Sequence, residues 1–208
     1  MYFQAPEDYS SNYVLSSTLR FLRYLCFGLS LILPAFYVAI TTFHHEMIPT
    51  NLLKSIIESK EGVPFSAFIE IILLLSAFEI LLEASLRLPK TIGGTISIIG
   101  GLIVGEAAVN AKFLSPAVVV IVAITGIAGF VIPNRSLANA ARICRMIMVF
   151  AAGVSGLFGI SFVLLIILAY LCKLETFGVP YLTPFIGNEG KNMLKDTLVR
   201  LPRDVGGE

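Results

Sequence analysis

Four polar residues inside a long apolar run hold the most chemistry in this sequence. Between residues 63 and 88, VPFSAFIEIILLLSAFEILLEASLRL, the residues Ser76, Glu79, Glu83 and Arg87 recur at three- and four-residue steps. On a helix that spacing gathers them into one polar stripe on a cylinder of Leu, Ile and Phe, with Glu70 on the opposite face. At about 1.5 Å per residue the run crosses a hydrocarbon layer of roughly 30 Å. An ionised carboxylate facing lipid is costly, so the stripe should face protein or water, and acids at membrane depth mark ion or substrate pathways. Ser76, Glu79 and Glu83 are therefore the candidates for an ion pathway. The plainer alternative is a Glu83 to Arg87 pair near the headgroups, with Glu79 hydrogen-bonded to a neighbour.

A second group, His44-His45-Glu46, has metal-binding residue types. Adjacent residues on a helix point about 100° apart and no third partner stands at ligand spacing, so a polar interfacial cap is the better reading. Cys26, Cys144 and Cys172 are odd in number and contain no C-x-x-C pair, which suggests neither a disulfide framework nor a zinc site. No nucleophile and base pair, phosphate loop or metal framework is visible, so no catalytic residue, metal or cofactor is expected and the chain is read as a non-enzyme.

These residues must be positioned by membrane helices. Hydrophobic residues make up 56% of the chain and charged ones 14%, against roughly 25% charged in soluble domains. The mean hydropathy is +0.86. The net charge of +1 gives no sign of nucleic-acid binding. The expected fold class is all-α, a polytopic membrane protein with about four to five membrane helices plus interfacial helices. Residues 1–18 form a polar N-terminal segment without the pattern of a signal peptide, residues 19–172 the helical membrane domain, and residues 173–208 a polar tail.

Along the chain, residues 19–43 read as a first span, with Arg20 and Arg23 on its leading turn and Pro34 placed to kink it. Residues 50–60 read as a short helix lying in the interface plane, with Leu52, Leu53, Ile56 and Ile57 on one face. Residues 91–111 carry Gly93, Ser97, Gly101 and Gly105 four apart, a stripe of small residues that lets another backbone approach closely. Ser115 and Pro116 begin the next span, residues 117–132, and the short connection between these two spans makes them an antiparallel hairpin unless one limb is re-entrant. Asn134 opens a last helix. Arg135, Arg142 and Arg145 on its first turns read as a collar against anionic headgroups, and Gly156 belongs to a second small-residue face. Five crossings from a cytoplasmic N-terminus would leave the basic tail outside, against the positive-inside tendency.

Several longer motifs carry a family resemblance. APEDY at residues 5–9, FYVAITTFHHEMIPTNLL at 36–53, EGVPF at 61–65, FEILLEASLRLP at 78–89, residues 92–130, FGVPYLTPF and LKDTLVRLP stand in one order over nearly the whole chain. Together they resemble the membrane region of the A subunit of spore germination nutrient receptors, the GerA family, or its A-like spore membrane relative. The resemblance implies a multi-pass protein of the spore inner membrane that oligomerises into a nutrient-gated ion channel. Its implied partners are a transporter-like B subunit that recognises the nutrient, a lipoprotein C subunit, further copies of itself and membrane lipid. Residues 1–18 would then be the end of a soluble region. Leu82, Ser85 and Glu106 stand where similar proteins usually carry Arg, Gly and Gln. A secondary transporter and a structural scaffold are the alternatives; the former would need inverted repeats and helices broken at the midplane.

Overall fold

The computed structural model describes residues 12–87, 105–176 and 179–180. Among these the chain is helical: α1 (Tyr13–Thr42), α2 (Thr50–Ser59), α3 (Ala67–Arg87), α4 (Pro116–Phe130) and α5 (Arg135–Lys173), with a 3-10 turn at His45–Met47. Two strands of two residues each, β1 (Glu175–Thr176) and β2 (Val179–Pro180), pair antiparallel after α5. The sequence pattern gave no hint of this ribbon. Gly93, Ser97 and Gly101 lie outside the described residues. Gly105, in a helical stretch at 105–110, is buried, and a Cβ there would rest 3.8 Å from Val119 on α4.

Local signals explain most helix starts. Asn134 accepts the backbone N–H groups of Ser136 and Leu137 at 2.9 and 3.1 Å, which caps α5. Pro116 occupies the first turn of α4, where a missing N–H costs nothing. Asn12 caps α1 through the N–H of Val14, so this helix begins six residues before the expected residue 19. Pro34 sits buried within it.

The core lies where four helices meet. Ala35, Val38 and Ala39 of α1, Ile71 and Leu75 of α3, Val118 and Val122 of α4, and Met148, Val149 and Ala152 of α5 are buried together. Small residues on α1 and α5 let these two helices approach closely, the device expected where lipid removes any hydrophobic gain from helix contact. The contacts also fix direction. Ser115 lies beside Glu70, while Phe130 packs on Phe78 with ring centroids 6.1 Å apart, so α3 and α4 run parallel. Phe150 meets Phe68 and Arg145 meets Glu79, so the first part of α5 runs antiparallel to α3.

α5 is not a single rod. Gly156 has φ 62° and ψ −139°, outside the helical region and open in practice only to glycine. Beyond it the chain folds back far enough for a Cβ on Gly159 to fall on the carbonyl oxygen of Ala151, eight residues away. A continuous helix would hold those positions about 12 Å apart. Gly156, expected as part of a small-residue packing face, is thus the break between two limbs, and it is packed closely as well: a Cβ there would meet His44 at 2.9 Å and Phe43 at 3.1 Å.

By length and composition Tyr13–Thr42 and Arg135–Lys173 are long and apolar enough to cross a membrane, the latter counted across its break at Gly156, and Pro116–Phe130 is a shorter apolar helix. Beyond Gly156 the apolar side chains are largely uncovered, with Phe158 75% and Leu165 63% exposed. The glycine geometry makes a direct prediction. Gly156→Ala and Gly159→Ala should each cost about 1–3 kcal/mol and lower the melting temperature of the detergent-solubilised chain by several degrees. Gly28→Ala and Gly129→Ala, where a Cβ meets nothing within 4 Å, should leave it unchanged or raise it.

Candidate functional site

The acids of α3 are answered in three different ways. Glu79 is the most heavily countered: Arg145 Nη2 donates to its Oε1 at 2.8 Å, and Arg142 Nη1 stands 3.5 Å from its Oε2. Arg145 is almost fully buried, with 5% of its side chain exposed, while Glu79 and Arg142 keep 28% and 34%. Arg142 and Arg145 were expected beside headgroups; they turn inward and tie α5 to α3 instead, while Arg135 remains exposed. One carboxylate between two guanidiniums leaves the cluster with net positive charge. Beside it is a cavity of about 20 Å³, lined by Ser30, Phe78, Leu82, Gly126, Arg142 and Arg145. That is room for about one water molecule.

Glu83 has a weaker partner. Arg87 on the same helix face donates to its Oε1 from Nη2 at 2.8 Å and from Nε at 3.1 Å, and both side chains are mostly exposed, at 78% for Arg87 and 62% for Glu83. An exposed pair of this kind contributes at most about 0.5 kcal/mol. The intrahelical Glu83 to Arg87 pair is the one the spacing allowed for. Ser76, the third stripe residue, is half-buried.

Glu70 is the residue that spacing arguments passed over. It is completely buried, and its Oε2 accepts the backbone N–H of Ser115 at 2.7 Å. Ser115 is the N-cap of α4, whose own side chain makes no capping bond, so the carboxylate takes over that task from another helix. Lys60 Nζ, at the C-terminal end of α2, stands 3.3 Å from Glu70 Oε1. The available signal was a lone acid on the apolar face of a helix, which must find a donor if it is not to face lipid.

His44, His45 and Glu46 do not converge. His44 lies against Gly156 with Nδ1 3.5 Å from the Ala39 carbonyl, and no group of three His, Cys, Asp or Glu residues is close enough to hold a metal among the described residues.

The whole of this framework falls within one family model. Residues 1–205 match the model described as Bacillus/Clostridium GerA spore germination protein. The chain belongs to the GerA family. It is 46% identical over 202 residues to the uncharacterized membrane protein YfkQ of Bacillus subtilis (strain 168), an alignment covering 96% of this chain and 39% of YfkQ. It is 45% identical over 201 residues to spore germination protein KA of the same organism, covering 97% and 37% of the two chains. Against spore germination protein GerLA of Bacillus cereus the identity is 40% over 203 residues, covering 98% and 41%. The chain thus spans about two fifths of the length of these curated relatives. No solved structure matches it.

Within this GerA-family chain the Glu79 cluster should behave as a structural clamp. Glu79→Gln leaves two guanidiniums without a counter-charge, one of them buried, and should destabilise by about 2–4 kcal/mol, read as a lower melting temperature. Adding Arg145→Met should recover part of that loss, because a buried ion pair replaced by apolar groups is near neutral. A double-mutant cycle with no coupling between the two positions would remove the clamp.

Proposed function

We propose that this chain is the membrane-embedded part of a spore germinant receptor subunit, and that several copies surround a pathway for monovalent cations opened by a nutrient-binding partner. The observation that carries this is the polar stripe of α3, where Ser76 and Glu79 are only partly covered within one chain and the Glu83 side chain is 62% exposed. In a membrane such a stripe must be covered by another copy or by water. On this reading the protein has four to five membrane helices, lies in the spore inner membrane and is not an enzyme. The likeness to spore germination proteins supports the setting, and the resemblance to receptor A subunits supports a transporter-like B subunit and a lipoprotein C subunit as partners.

The two acids of the stripe divide the work. Glu79 fixes α3 against α5, whereas Glu83, on the exposed side, supplies negative charge to the pathway as acidic rings do in cation channels. Ser76 faces the same pathway. Gly105 lets the stretch before α4 pack closely on Val119, and Arg135 anchors the start of α5 at the headgroups. The uncovered Leu52 and Ile57 of α2 rest on lipid, which suits a helix lying in the interface plane.

The test is cation flux from liposomes containing the receptor with its partners, paired with monovalent-ion release from spores exposed to nutrient. Glu83→Gln should slow release several-fold while leaving melting temperature and oligomer size unchanged. Unaltered flux would rule out Glu83 as a pathway residue, and an oligomer that conducts nothing would favour a scaffold.

A further inference from the structure

We propose that the buried corner around Glu70 is a monovalent-cation site that Lys60 fills with its own ammonium group. Among the described residues, two buried oxygens there lack a hydrogen bond: Glu70 Oε1, with the Lys60 ammonium 3.3 Å away, and Ser115 Oγ. Glu70 and Ser115 are 0% and 1% exposed. A carboxylate beside a hydroxyl oxygen is a hard-oxygen donor pair, and a single negative charge suits a monovalent ion better than a divalent one.

The ammonium is the part of this site that can leave. Lys60 keeps 32% of its side chain exposed, on a flexible stem just past α2, and no residue of α2 is buried. When Lys60 swings into water, Glu70 stays where it is, held through Oε2 by the N-cap amide of α4. A bare buried carboxylate then has to take up a metal ion or a proton. The positive end of α4 offsets only about half a charge and so does not neutralise it. Lys112, exposed and resting its side chain over Gly62, is a second cation near this corner. Ion exchange at this site would uncouple α2 from the start of α3, and it does not require the chain to conduct.

The experiment uses the full chain with Lys60→Met, and with Lys60→Met plus Lys112→Met, in detergent. Melting temperatures are compared at constant ionic strength in potassium, sodium and N-methyl-D-glucamine chloride. Binding in the 10 mM range should raise the melting temperature by roughly 3–5 °C in about 100 mM of at least one alkali salt relative to N-methyl-D-glucamine. That rise should vanish on adding Glu70→Gln. Lys60→Gln, which keeps a neutral donor near Oε1, serves in place of Lys60→Met if that variant does not fold. Equal melting temperatures in all three salts overturn the proposal. So does a rise that survives Glu70→Gln, or stabilisation by acidification alone, which would show that the corner takes a proton.

Discussion

A carboxylate set in an apolar helix must be met by a cation or a backbone donor, and the partners that meet it decide what that helix can pack against. On α3 the first acid recruits the N-terminus of α4 and the ammonium after α2, and the second recruits two arginines of α5. The pairs lie nine residues apart, about 13 Å along the axis. Apolar contacts between smooth helices tolerate sliding by a turn, because one Leu or Val face resembles the next. Two polar pairs at different heights do not, since a slip of one turn would strip both carboxylates at once. The register of the bundle is therefore set by Glu70 and Glu79, and the core of Ile71, Leu75, Val118, Val122 and Met148 fills the space that they define.

This division explains what could be read from the chain and what could not. Helix positions were legible where a local signal marks them: Pro116 starts α4 and Asn134 caps α5. The Glu83 to Arg87 pair was legible because four residues fix its geometry. The Arg145 to Glu79 bond spans 66 positions, and Ser115 to Glu70 spans 45, so no spacing rule reaches them. Arg142 and Arg145 look like a headgroup collar in sequence because a basic turn before an apolar run fits either role. Gly156 was ambiguous for a different reason. Glycine serves both close packing and positive φ, and only the observed backbone shows that here it does both.

The reversal at Gly156 also bears on how the two ends of the bundle communicate. His44 and Phe43, at the end of α1, are in contact with the glycine that divides α5, and the chain continues from there into the 3-10 turn and α2. The Lys60 to Glu70 contact closes the same corner from the other side of α2. A displacement of α2 would thus reach α5 through His44 and α4 through Glu70 by direct packing, with no long relay.

Charge along α3 then argues for which acid can act on a passing ion. Around Glu79 there are two positive groups for one negative, both held by the fold, and one of them is almost fully buried. Such a cluster repels cations unless another copy adds negative charge. Glu83 and Arg87 are both mostly exposed, and a pair of that kind holds together by less than about 1 kcal/mol, comparable to thermal energy. Arg87 can therefore yield Glu83 to a cation at little cost, while Arg145 cannot yield Glu79 without leaving a buried guanidinium unanswered. In any pathway lined by α3, selectivity for cations has to come from the acid the fold holds least tightly, and the acid it holds most tightly keeps the helix in place while that happens.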